Sequence, residues 1–136
     1  MYIPKQGDII WIDFNPQKGH EQAGHRPALV VSKDDFNRLT GFAIVCPITS
    51  QKKDYPLHIE LKGCKKVTGF VMLEKIKALD FSSRNAKRAE QVSDTYLNDI
   101  LEHLDSFFLG VKETSLFFSY SLVFFFHLLC ASLSLL

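Results

Sequence analysis

Three short apolar runs near the start of the chain limit what it can fold into: IIWIDF at 9–14, PALVVS at 27–32 and FAIVCPIT at 42–49. Each is too short for an amphipathic helix, rich in β-branched and aromatic residues, and bounded by glycine, proline or asparagine. In the first, Ile10, Ile12 and Phe14 fall on one face while Ile9, Trp11 and Asp13 fall on the other. This period of two predicts a strand over Gly7 to Phe14, ended by Asn15 and Pro16. Residues 15–26 hold two glycines and a proline without periodicity, which predicts a long loop with functional potential.

The second run predicts a strand over Pro27 to Ser32 that is buried on both sides, and Asp34 to Leu39 a helical turn broken at Thr40-Gly41. Phe42 to Thr49 reads as a third strand whose Pro47 suggests a bulge or a sheet edge. His58 to Leu61 and Gly69 to Leu73 read as two more. One long helix follows. From Ser93, a plausible N-cap, Tyr96, Leu97, Ile100, Leu101, Leu104, Phe107 and Phe108 recur at three- and four-residue steps, opposite acidic residues. Several short antiparallel strands and one covering helix predict a mainly β domain with a C-terminal helix, a small barrel, spanning residues 1–109.

Composition excludes more than it assigns. With 16 Lys+Arg against 15 Asp+Glu the net charge is +1, so any basic site must be local. The three cysteines, Cys46, Cys64 and Cys130, share no metal-ligand or CxxC spacing, so neither a disulfide framework nor a zinc site is expected, and a reducing, cytoplasmic setting is. The opening MYIPKQGDIIWIDF has no apolar h-region and is not read as a signal peptide. His20, His58 and His103 show no paired spacing and read as surface residues. There is no GxxxxGK[ST], HExxH or GxSxG, which removes nucleotide hydrolysis, zinc proteolysis and serine hydrolysis; no metal or cofactor is expected.

Two polar groups remain at strand termini: Glu21, Gln22, His25 and Arg26 at the end of the first loop, and Thr49, Ser50 and Gln51 at the end of the third strand. In a small barrel both groups can face one cleft, and a guanidinium beside hydroxyls and amides suits a phosphate. From position alone, Arg26 serves equally as a rim ion pair to Glu21 or Asp13, and Thr49 as an ordinary strand residue.

The stretches GDIIWIDFNPQKGHEQAGHRPALVVS and FAIVCPITSQKKDYPLHIEL resemble the MazF/PemK family of toxin endoribonucleases from type II toxin-antitoxin systems. The resemblance covers nearly all of residues 6–109. It implies an SH3-like β-barrel of the MazF/PemK/CcdB type, a homodimer, metal-independent and sequence-specific cleavage of single-stranded RNA, and a MazE-like antitoxin that blocks the site. By position the catalytic arginine is Arg26 and the catalytic threonine Thr49, with Glu21, Gln22, His25, Ser50 and Gln51 shaping the RNA site.

Downstream, LEKIKALDFSSRNAKR keeps basic character at Lys77 and Arg84, while Glu74 stands where the family commonly has aspartate and Phe81 where it has tryptophan. The expected reaction is attack of an RNA 2′-hydroxyl on the adjacent phosphorus to give a 2′,3′-cyclic phosphate. Arg26 and Thr49 then stabilise the developing charge, with His25 or Glu21 as proton acceptor. A CcdB-like gyrase poison and a catalytically inactive RNA- or antitoxin-binding module are the alternatives.

The chain changes character near Gly110, since residues 114–136 carry no Lys, Arg, Asp or Glu. That length is enough to cross a bilayer, yet the stretch holds five serines and no following cation. Three readings of residues 110–136 stand side by side: a membrane anchor, an extra packed helix and a non-native extension.

Overall fold

The structure is a computed structural model and describes residues 1–110. The readings of the apolar tail therefore fall outside the described residues, except at Gly110 itself. The described residues form seven strands: β1 (Asp8–Asp13), β2 (His25–Val30), β3 (Phe42–Thr49), β4 (His58–Glu60), β5 (Phe70–Met72), β6 (Lys77–Asp80) and β7 (Lys87–Gln91). Helix α1 (Asp34–Thr40) joins β2 to β3, a 3-10 turn (Leu73–Lys75) joins β5 to β6, and α2 (Asp94–Leu109) follows β7. Residues Met1–Leu101 form one compact unit, whose boundary falls inside α2.

Every strand pairing is antiparallel, in the order β4-β5-β3-β2-β1-β7, with β6 also on β3. The hydrogen-bonded path ends at β4 and β7, and no pairing among the described residues closes it, so the barrel expected from the sequence is an open one. The pleat buries what the alternation predicts. Ile10, Ile12 and Phe14 pack in one cluster with Ala28, Val30, Ala43, Val45, Leu79 and Phe81. Each large side chain buried there contributes about 1.5–3 kcal/mol. Ala28, Leu29 and Val30 are fully buried, as a strand covered on both faces requires.

Strand β3 is central rather than an edge, because β2 lies on one side and β6 then β5 on the other. Pro47 is tolerated where this second side changes partner: the β6 ladder stops at Val45–Lys77 and the β5 ladder begins at Ile48–Val71. Helix α1 is longer than one turn and ends where Gly41 adopts φ 73° and donates its N–H to the Asn37 carbonyl.

The N-cap of α2 is Ser93, whose Oγ accepts from the Tyr96 N–H at 3.2 Å. In its first half Tyr96, Leu97 and Ile100 are buried, and the Tyr96 hydroxyl donates to the Glu60 carbonyl, fixing this end of the helix to β4. Among the described residues no helix is long and apolar enough to cross a membrane.

Candidate active site

The β2–β3 register decides where the two polar groups meet. Ala28 pairs with Pro47, Leu29 with Cys46 and Val30 with Val45. Continuing that register by two residues brings Arg26 opposite Thr49, just beyond the recorded ladder. Directly opposed residues project to the same face, and both side chains line one cleft of about 710 Å³, together with Gln22, Ser50 and Gln51. The Thr49 hydroxyl accepts from the Gln51 N–H at 3.2 Å, which turns the chain at the cleft wall.

Arg26 belongs to β2, not to the loop, because the β1–β2 ladder extends to Ile12–Arg26 and Asp13–His25. The loop is thus shorter than expected and pinned at its base: the Phe14 N–H donates to the Gly24 carbonyl, and the Gly24 N–H to Asn15 Oδ1. Arg26 Nε donates to the Ala23 carbonyl at 2.8 Å. The Gln22 carboxamide faces the guanidinium, and with its oxygen on that side it accepts from Nη1 at 2.6 Å.

Neither carboxylate weighed as an ion-pair partner takes that role. Glu21 pairs with Lys77 at 3.2 Å, and Asp13 with His25 at 2.6 Å. Among the described residues Arg26 has no carboxylate partner, so its charge is held by neutral acceptors and remains available to an anion.

The other expected site residues separate into two places. Glu21 and Lys77 border a second hollow of about 390 Å³, which shares Gln22, Glu74 and Lys75 with the cleft. His25 points the other way, as the residue next to Arg26 on a strand must. Its Nδ1 meets Asp13 Oδ1, and its ring stacks on Trp11 with centroids 5.8 Å apart. Asn85 Nδ2 also donates to Asp13, and these bonds, that from Asn85 foremost, hold the Asp13 carboxyl below its usual range. Arg84 is bound to the backbone carbonyls of Asp13 and Asn15 at 3.0 and 2.6 Å. Within one chain, His25 and Arg84 therefore lie apart from the cleft, and a proton-accepting role for His25 opposite Arg26 has no geometric support there.

The cleft is also lined by residues that the sequence reading did not place in the site: Lys53, Asp54, Tyr55, His58, Glu74 and Lys75. His58 is no surface histidine, since only 5% of its side chain is exposed. His103 is likewise buried. The β4–β5 register pairs His58 with Met72, and the 3-10 turn after β5 returns Glu74 to it, with His58 Nε2 2.6 Å from Glu74 Oε1. Tyr55 sets its ring edgewise on His58 at 5.1 Å. Sixteen residues separate His58 from Glu74; no spacing rule links them, and only the strand pairing makes them neighbours.

A cleft lined by a guanidinium, hydroxyls and two lysines has the donors that a phosphodiester can accept from. No cysteine among the described residues lines it, and burial, with a smaller effect of Glu74, pushes the thiol of the buried Cys46 up to about 12. Among the described residues no group of three or more His, Cys, Asp or Glu is placed to hold a metal ion.

Residues 5–108 match the protein family described as PemK-like, MazF-like toxin of type II toxin-antitoxin system. The endoribonuclease toxin MazF of Escherichia coli K12 is 40% identical over 92 residues, covering 68% of this chain and 82% of that protein. The crystal structure of MazF from Deinococcus radiodurans superimposes with a TM-score of 0.75 at 38% identity, over 82% of this chain and 100% of that one. A MazE–MazF complex from the same organism matches with a TM-score of 0.70, at 38% identity and the same coverage.

Proposed function

The chain belongs to the PemK-like, MazF-like toxin family of type II toxin-antitoxin systems, and we propose that it is a sequence-specific endoribonuclease acting on single-stranded RNA. The observation that carries this reading is the opposition of Arg26 and Thr49 across the mouth of one cleft, with Arg26 free of any carboxylate partner among the described residues. In the proposed reaction a ribose 2′-oxygen loses its proton and bonds to the adjacent phosphorus. The bond to the 5′-oxygen breaks, and that oxygen takes up a proton. The products are a 2′,3′-cyclic phosphate and a 5′-hydroxyl, and DNA lacks the nucleophile.

Arg26 stabilises the added charge of the phosphorane through its planar donors, and the Thr49 hydroxyl donates to a nonbridging oxygen. Arginine stays protonated and is a poor base. Glu21, Asp54 and Glu74 are the carboxylates bordering the two adjoining hollows, which makes them the acceptors to test. Gln22, Ser50 and Gln51 orient the strand, and Lys77 contributes from the second hollow.

The partner proposed for the free toxin is a MazE-like antitoxin whose extended segment occupies the cleft, in line with the MazE–MazF complex among the similar structures. A homodimer is the proposed assembly and the cytoplasm the proposed site of action. The test is incubation of the purified chain with end-labelled single-stranded RNA of mixed sequence. Discrete fragments ending in a 2′,3′-cyclic phosphate are expected, and an intact substrate at high enzyme overturns the reading.

A further inference from the structure

The carboxylate of Glu74 is out of place in a cleft for a polyanion, because it repels phosphate wherever it faces the opening. Its surroundings hold it in one orientation. His58 Nε2 lies 2.6 Å from Oε1, while His58 Nδ1 is buried without a hydrogen-bond partner. The contact between the His58 ring nitrogen and Oε1 holds the Glu74 side chain against β4. Oε2 of Glu74 has no partner among the described residues and borders the cleft. Lys75 and the half-exposed Tyr55 line the same cleft.

We infer that Tyr55, His58, Glu74 and Lys75 form a base-reading subsite that takes the Watson–Crick edge of an unstacked guanine, an inference that rests on the endoribonuclease reading. An anionic acceptor selects for N–H donors. Guanine presents two side by side, N1–H and the N2 amine, and next to them the O6 acceptor that an ammonium can meet. Adenine and cytosine each place a ring-nitrogen acceptor beside their single amine, and uracil flanks its one N–H with two carbonyl oxygens, so each sets a lone pair against Glu74. Tyr55 supplies an aromatic face for stacking. His58 is a positioning residue: it fixes the Glu74 rotamer and leaves Oε2 free to read.

The test uses decamers of 2′-O-methyluridine, which cannot be cleaved, carrying one central guanine, adenine, cytosine or hypoxanthine. Binding to the full chain is followed by fluorescence anisotropy. The guanine decamer is expected to bind about tenfold more tightly than the adenine and cytosine ones, in line with one well-matched base contact. Hypoxanthine, which lacks the N2 amine, falls between. Glu74→Gln, near-isosteric, removes the preference, and His58→Ala weakens it.

Equal binding of all four decamers by the wild type, or an undiminished preference in Glu74→Gln, overturns the subsite. The hypoxanthine substitution tests the same contact without touching the protein. Cleavage of unmodified mixed-sequence RNA is read in parallel. Guanine preference without cleavage keeps the subsite and overturns the nuclease, whereas cleavage with equal decamer binding does the reverse.

Discussion

A Cβ on Gly69 would lie 2.3 Å from the carbonyl oxygen of Thr49. Gly69 adopts φ 137°, a conformation that side chains avoid, and it precedes the β5 residue Phe70 that pairs with Thr49. The proposed catalytic threonine thus keeps its position because its neighbour has no side chain. Gly69→Ala is expected to lower the melting temperature, by about 1–3 kcal/mol of stability for the strain alone, and to reduce RNA cleavage in whatever fraction folds. Gly63, at φ 77° with nothing within 4 Å, is the control: Gly63→Ala should lose about 1–2 kcal/mol and keep its activity.

Arg26→Lys keeps the charge but loses the planar fork and the contacts to Ala23 and Gln22. Cleavage rate is expected to fall by about 100-fold, the effect of removing one preorganised oxyanion donor. Thr49→Val preserves the β-branched shape within β3, so the rate should drop with little change in melting. Single-turnover kinetics alongside thermal melts separates the two effects. Full activity in Arg26→Lys removes the guanidinium from the mechanism.

Cleavage is expected to persist in excess EDTA, because the described residues offer no three-ligand group for a metal. A single 2′-deoxy substitution 5′ of the cut is expected to abolish cleavage while leaving binding in place. Gel analysis of matched substrates checks both, and scission of the deoxy substrate sinks the proposed nucleophile.

Acid should destabilise the fold through a small set of carboxylates. Glu90 accepts the N–H groups of Lys65, Lys66 and Val67 at 2.7, 3.0 and 3.3 Å, and these bonds, that from Lys65 first, hold its carboxyl below the usual range. Asp80 is held low by the backbone N–H of Ser83 and the hydroxyl of Ser82, and Asp13 by Asn85 and His25. A depressed carboxyl gives its full stabilisation above the unfolded value near pH 4, and loses it as pH falls through the folded one. Melting temperature should therefore decline steeply below about pH 4. Glu90→Gln should melt lower at neutral pH and show a shallower acid limb, whereas parallel pH profiles for variant and wild type contradict the assignment.

The sequence disclosed the strands whose alternation is clean and hid those whose faces are charged. Strands β1 to β3 and helix α2 carry unbroken apolar periods, so their existence and their buried residues were legible. Strands β6 (KALD) and β7 (KRAEQ) were not, since Leu79 alone is buried in the first and no residue in the second. Of the candidate site, Arg26, Thr49, Gln22, Ser50 and Gln51 were legible as a group and lie in one cleft. Placing His25 with them required ignoring that adjacent residues on a strand face opposite ways, which the loop assignment concealed. The His58–Glu74 pair was invisible for another reason: their contact exists only after β4 pairs with β5.

The loop between β1 and β2 is clamped at its neck by Phe14, Asn15 and Gly24, and the arginine stands outside it on the strand. The strand position of the arginine and the span of the loop are therefore separable. Residues 16–21 can be lengthened, shortened or rewritten while the ladder that carries Arg26, and the Gln22 and Ala23 acceptors that hold its guanidinium, are inherited unchanged. Variation confined to that span leaves the backbone that carries the guanidinium in place.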